Sequence, residues 1–468
     1  MIQIELNNNK IKVSGNMKVL NKVYEDMKVK HPNAYWLRPH MEQGWDGKIK
    51  YLTDTGYAKT GLFPMVTSLI EKYEEEYHIV DRRKELEYRE IPKKIRGFGK
   101  RKYQVEAAES IIFNEVAGVP FQRGIIGAAT NAGKTIISAM LYKSFPDAKC
   151  LILVNNKDLY EQFLDDMPSM FGDDWGYMQG QKVKWADIMV CMTPTLRNRL
   201  DVFKAKLAKY NMLIFDECHL ITSKTNKKVI TALYNTVIRV GLSGTALKHK
   251  DPTKNMDVRS FFGEEIYTIT NLELMDMGYS TPIVVKIVKG NTKVRIKGDY
   301  DEEYRQGISL SRERTKKVLK RIDFYLRRGC FPILVVGKYH EHVESLYRSF
   351  QARFGDRYRI AYIHHKIKKR KEILDRFKTG EIDILISSLI IKLGQNMPLI
   401  RTMINAAGGD SQIQALQLVG RAIRIHKSKS KVYYEDFYDL GYYLLRHSKH
   451  RIMYYKKQGF KVIELSKS

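Results

Sequence analysis

"RGIIGAATNAGKTIISAML", residues 123–141, runs from an apolar strand through a loop of small and hydroxyl residues into a helix, and its reading decides the fold. That order of elements is the setting in which a phosphate-binding loop works. Backbone N–H groups along Ala129, Thr130, Asn131, Ala132, Gly133 and on to Thr135 would wrap a β-phosphate at the positive end of the following helix. Lys134 would neutralise β- and γ-oxygens, Thr135 would ligate magnesium, and Gly133 lets the chain turn closely around the anion. The [AG]xxxxGK[ST] spacing arises by chance at roughly one position in ten thousand at average composition, too rarely to be set aside in one chain.

Outward from the loop, short β-type runs alternate with helix-length segments: "KCLILVNN" (149–156), "DIMVCMT" (187–193), "NMLIFDE" (211–217) and "VIRVGLSGT" (237–245). The rhythm predicts a parallel sheet wrapped by helices, an α/β fold. It recurs in "FPILVVG" (331–337), "RIAYIH" (359–364), "DILISSL" (383–389) and "TMINAA" (402–407), so two such domains stand in tandem. Gly278 and Pro282 interrupt the pattern in "DMGYSTPIVVKI" and put the join at about 280. Residues 1–90 lack the rhythm and read as a small α+β module, leaving 91–280 and 281–468 for the two larger domains.

A phosphate loop needs a carboxylate to hold the metal and another to orient water, and "LIFDECHL" supplies both at a strand end. Asp216 takes the metal role and Glu217 the water role. The 81 Lys and Arg against 52 Asp and Glu give +29, a balance that favours a polyanionic partner, nucleic acid foremost. Basic residues cluster at 82–102, 364–371 and 446–457, and the last interleaves tyrosines that either stack on bases or belong to a solvated helix face. Cys150, Cys191, Cys218 and Cys330 form no CxxC pair and read as buried small residues rather than a zinc site or disulfide framework. No apolar run is long enough for a bilayer, and the first residues lack a signal-peptide layout, so a cytoplasmic protein is expected.

In order along residues 100–430, "GAATNAGKT", "DECH" (216–219), "SGT" (243–245) and "QLVGRAIR" (417–424) resemble motifs I, II, III and VI of superfamily 2 (DExH-type) helicases. The resemblance implies two RecA-like domains, ATP and Mg2+ as cofactors, and nucleic acid as the track. "RKYQ", with Tyr103 and Gln104, is similar to the adenine-reading element, "LVNNKDLYEQF" to motif Ia, and "MTPTL" to a strand contact. Arg421 and Arg424 lie three apart on one helical face and suit arginine fingers that meet the γ-phosphoryl group when the second domain closes on the first. Gln417 and His219 are couplers between the halves. Where the family often has G-x-D-x-P, this chain has "GQNMP" with Asn396, and Ser387 and Ser388 replace the usual threonine nearby.

"GWDGKIKYLTDTGYAKTGLFP", followed by an amphipathic helix, resembles the N-terminal module of UvsW-type phage helicases, which remodel branched DNA. This implies a DNA helicase that drives branch migration and fork regression, in the host cytoplasm if phage-encoded, acting as a monomer on DNA. The plainer reading of Trp45 and Gly47 is a hairpin turn with a buried aromatic. "VKIVKGNTKVRIKG" (284–297) reads either as a basic strand wedge or as two edge strands. An RNA helicase and a non-catalytic, ATP-switched clamp remain as alternatives.

Overall fold

The computed structural model describes every residue except 38–44, 93, 96–97, 100, 130, 156, 291–298, 389–396, 411–424 and 465–468. The chain forms two compact units, Met1–Ile269 and Thr270–Ser468.

The first unit is built on an eight-stranded sheet ordered Lys182–Lys184, Gly176–Gln179, Ile188–Met192, Cys150–Val154, Met212–Asp216, Ile238–Leu242, Arg123–Ala128, Glu265–Ile269. Only the pairing of the first two is antiparallel. All five residues of Cys150–Val154, Met212–Asp216 and Ile238–Leu242 are buried, as helices covering both faces of a parallel sheet demand. This is why those segments read as continuous apolar runs.

Residues 1–81 add a four-stranded sheet ordered Tyr57–Lys59, Lys10–Gly15, Ile2–Leu6, Tyr77–Asp81. Along Ile2–Leu6 the burial alternates, with Ile2, Ile4 and Leu6 inward against helices Met17–Asp26 and Phe63–Lys72. The same core takes in Phe121 and Met256 from beyond the module. Two buried guanidinium groups stitch the seam. Arg123 donates to the carbonyls of Val237 (3.0 Å), Thr236 (2.8 Å) and Asn8, and Arg239 donates to Thr236 Oγ1 (2.6 Å), Leu233 O (2.8 Å) and Asn9 Oδ1 (3.5 Å).

The second unit holds a fully parallel seven-stranded sheet ordered Ile360–Ile363, Ile384–Ser388, Ile333–Gly337, Thr402–Asn405, Val432–Tyr438, Ile283–Lys289, Lys461–Glu464. Both units are thus RecA-like α/β domains. Over the described part of 284–297 neither reading holds, because Ile283–Lys289 is an inner strand between two parallel partners with Ile283, Val285 and Ile287 buried; residues 291–298 lie outside the described residues. Nor do both tyrosines of 446–457 face outward. Tyr454 and Tyr455 point into the core from helix Tyr443–Lys457, leaving its lysines to solvent.

Strand Val432–Tyr438 carries two acids, and both are internal. Glu435 is wholly buried and accepts from Arg321 Nε (2.8 Å), Arg321 Nη2 (2.7 Å) and the Tyr325 hydroxyl; Asp436 accepts from Arg451 Nε at 2.8 Å. Burial, reinforced by the Glu435 charge, pushes the Tyr325 phenol far above its ordinary range. Glu435→Gln keeps the shape but strips Arg321 of its counter-charge. It should cost about 3 kcal/mol of unfolding free energy, seen as a lower urea midpoint at unchanged slope; an unchanged midpoint would show that the pair contributes nothing.

Candidate active site

Three neighbouring strands of the first unit, Arg123–Ala128, Ile238–Leu242 and Met212–Asp216, deliver the loop, the "SGT" segment and the acid pair to one place. Carboxyl ends of parallel strands are where open α/β sheets bind ligands. Asn131 and Gly133 both take left-handed backbone, φ 77° and 78°, a pattern that turns successive N–H groups toward one point. Gly133 opens helix Lys134–Ser144, and no side chain caps that end, so the first-turn N–H groups face an anion position. A Cβ on Gly133 would sit 2.4 Å from Gln104 Nε2.

Tyr103 and Gln104 lie beneath the loop. The Tyr103 hydroxyl (2.9 Å) and Gln104 Nε2 (3.0 Å) both donate to Ala132 O, while Gln104 Oε1 is buried with no hydrogen-bond partner. The pair therefore braces the loop, and Gln104 keeps one acceptor unspent that a ligand amino group would satisfy.

Lys134 Nζ stands 2.8 Å from Asp216 Oδ1 and 2.8 Å from Glu217 Oε1. Burial disfavours its charge, but the two carboxylates outweigh burial and hold the ammonium protonated well beyond lysine's usual range. Burial raises the Asp216 carboxyl despite Lys134; at Glu217 burial is overcome by Lys134 and by the His219 hydrogen bond, which hold it below the usual carboxylate range. One ammonium between two carboxylates leaves a net negative charge. Thr135, nearly buried beside Lys134, has Oγ1 3.5 Å from Asp166 Oδ2 on helix Lys157–Phe171.

This donor set fits a magnesium-bound polyphosphate. Among the described residues no group of three His, Cys, Asp or Glu side chains is arranged as a metal cage. Magnesium is typically held by one or two protein oxygens, waters and the phosphates themselves. Thr135 and Asp216 would supply the protein oxygens.

Glu217 adopts left-handed backbone at φ 56°, which costs a non-glycine residue on the order of 1 kcal/mol and concentrates at functional sites. Its carboxylate also accepts from Ser243 Oγ at 3.3 Å. His219 Nδ1 lies 3.0 Å from that hydroxyl and 3.3 Å from Glu217 Oε2, and Thr245 N–H donates to the same hydroxyl at 3.1 Å. Ser243 thus bridges Glu217 and His219 from the intervening strand.

Neither Ser243 nor Asp166 was singled out by sequence; "SGT" pointed to the first, and nothing in "FLDDM" marks the second. Ala129 and Ala132 flank Asn131 in the loop, both buried. In "MTPTL", Thr193 is buried and donates to Val154 O at 3.1 Å, and at the strand end Ser387 Oγ donates to Ser388 O at 2.7 Å. Thr130, Asn396, Gln417, Arg421 and Arg424 lie outside the described residues. Trp45 is half-buried and donates to Lys48 O at 2.8 Å, closing the turn at Gly47.

A phosphate loop, an acid pair one strand away and two parallel-sheet domains define a nucleotide-binding motor fold. The chain belongs to the superfamily 2 helicases. Residues 98–248 match the family described as type III restriction enzyme, res subunit, and 315–426 match the helicase conserved C-terminal domain. It is similar to the ATP-dependent DNA helicase uvsW of Enterobacteria phage T4, 23% identical with 92% of each chain covered. It is also similar to a helicase-like protein, number 22, of Sulfolobus islandicus filamentous virus (isolate Iceland/Hveragerdi), 23% identical over 73% of this chain and 64% of that one's length. The fold matches a fragment assigned to the HsdR subunit of a type I restriction enzyme from Vibrio vulnificus YJ016, with TM-score 0.61 and 20% identity over 81% of this chain and 69% of that one.

Gly133→Ala puts a methyl group into Gln104 at a left-handed position. It should weaken binding of a fluorescent ATP analogue by ~10-fold or more, whereas Gly180→Ala, also left-handed but with open space around it, should leave binding unchanged.

Proposed function

We propose that the chain is an ATP-dependent DNA helicase or translocase that remodels branched DNA. The observation that carries this reading is Lys134 poised between Asp216 and Glu217 at the mouth of an uncapped helix. A lysine so placed can exchange two carboxylates for β- and γ-phosphate oxygens without leaving the site. Asp216 and Thr135 would hold magnesium, which when bound would supply positive charge toward the phosphates. Glu217, freed from Lys134 but still tied to Ser243, orients the attacking water. His219, through Ser243, ties that carboxylate to the "SGT" segment, so a change in phosphate occupancy reaches a second strand end. Gln104 Oε1 and Tyr103 face the base side of the loop, and Ala129 to Gly133 cradle the phosphates. Arg421 and Arg424 act as arginine fingers from the second domain, with Gln417 as their coupler.

DNA as the track is supported by the +29 charge and by the similarity to a phage DNA helicase. Phosphate contacts give grip without sequence preference. Branched substrates fit an N-terminal module that stands outside the two family-matched segments and a helix, Tyr443–Lys457, whose solvent face is basic. The chain works as a monomer in the cytoplasm, the host's if it is phage-encoded. Among the described residues no helix is long and apolar enough to cross a membrane.

The test is ATP turnover on linear, forked and four-way DNA and on RNA. Forked and four-way DNA should stimulate most, and Lys134→Ala and Glu217→Gln should each lower kcat by ~100-fold or more, the second with nucleotide binding retained. Equal stimulation by every DNA removes the branch claim, stimulation by RNA alone removes the DNA claim, and full turnover in Glu217→Gln removes the motor.

A further inference from the structure

In the N-terminal module a two-stranded ribbon pairs Lys28–Lys30 with Lys48–Lys50, antiparallel, in the register Lys28↔Lys50, Val29↔Ile49, Lys30↔Lys48. Directly opposed residues share a face, so all four lysines project from one side while Val29 packs on the module's core from the other. Like charges set opposite one another across strands are destabilising, and a two-stranded ribbon has little stability to spare. Lys28 is offset by Glu25 (2.5 Å) and Asp46 (3.9 Å), and Lys50 by Asp54 (2.8 Å). Lys30 and Lys48 have no carboxylate partner among the described residues.

The ribbon continues through His31, whose N–H donates to Gly47 O at 2.9 Å, into the turn that carries Tyr35 and Trp36. Hydrogen bonds Ala34 N to His31 O (3.0 Å) and Leu37 N to Asn33 O (3.1 Å) fix that turn. The two rings meet edge to face at 5.3 Å and are 79% and 75% exposed. Of the chain's four tryptophans only Trp36 is exposed. An indole ordinarily buries most of its surface. An exposed Lys30 and a half-buried Lys48 on the ribbon, with two water-facing rings in the turn that follows it, supply the two halves of a single-strand binding platform, phosphates on one and bases on the other. The ribbon is also fixed to the motor domain, since Tyr51, just past Lys50, donates to Thr253 O at 2.7 Å.

We infer that this element is the strand-separating pin, in which Lys30 and Lys48 hold the backbone of one strand at a fork while Trp36 and Tyr35 stack on the bases at the point of parting. The inference rests on the DNA-motor reading above and assigns it a working edge. Translocation would drive the fork against rings carried on a ribbon that Tyr51 ties to the larger domain.

Two measurements on the full chain test it. Without nucleotide, titration with oligo-dT should quench tryptophan emission, and Trp36→Phe should remove most of that quench; a quench that survives Trp36→Phe, or one produced by phosphatidylserine vesicles but not by oligo-dT, overturns the pin. With ATP, Tyr35→Ala/Trp36→Ala and Lys30→Glu/Lys48→Glu should each slow separation of a forked duplex by ~10-fold or more while turnover on linear single strands stays within ~2-fold, and Trp36→Phe should keep most of the separation rate. Wild-type separation by the double-alanine variant overturns the pin and leaves the motor standing. Absence of DNA-stimulated turnover in the unaltered chain overturns the motor reading instead, and the quench still decides whether Trp36 meets DNA.

Discussion

A single ammonium group shared by a buried and a half-buried carboxylate sets the terms for the first domain. Lys134, Asp216 and Glu217 come from a loop and a strand end with another strand between them. Their meeting requires the parallel sheet, its strand order and its fully buried strands all at once. Burial makes the arrangement unforgiving, since each charge has lost water and depends on the others. It also makes the arrangement responsive. On the reading proposed above, an incoming polyphosphate with its metal would give both Lys134 and the carboxylates new partners, so the site could change occupant without exposing an uncompensated charge.

The second domain solves the problem of internal charge differently. Glu435, Asp436 and Asp439 are each matched to an arginine, Arg321 and Arg314 coming from helix Arg312–Leu326 and Arg451 from helix Tyr443–Lys457. Arg451 binds Asp436 and also the carbonyls of Gly409 and Phe437, so one side chain ties the loop after Thr402–Asn405 and the end of strand Val432–Tyr438 to the helix Tyr443–Lys457. These bonds have directional geometry that apolar packing lacks, and they tie strand Val432–Tyr438 and the adjoining Asp439 to the helices Arg312–Leu326 and Tyr443–Lys457.

Legibility in the sequence followed burial pattern closely. The loop, the acid pair and the inner strands were readable because a strand buried on both faces is an unbroken apolar run, and a phosphate loop has few chemical substitutes. Val432–Tyr438 escaped notice because Glu435 and Asp436 look solvated until Arg321 and Arg451 are known to meet them. Tyr454 and Tyr455, flanked by basic residues, left base stacking and a solvated helix face both open, whereas the helix turns those two inward. Tyr103 and Gln104 bond the Ala132 carbonyl through contacts that spacing does not encode. The left-handed backbone of Glu217 is invisible in a list of residue types, and so is the bridging position of Ser243, which depends on strand order.

The seam between the small N-terminal sheet and the motor sheet bears on where this protein can be cut. The family match begins at residue 98, yet Phe121 and Met256 belong to the core completed by Ile2, Leu6 and Phe63. Excision at the family boundary would bare those side chains and would take away the Asn8 and Asn9 oxygens that Arg123 and Arg239 use. A shortened polypeptide would therefore begin with a greasy, cationic wound where the intact one has an interior.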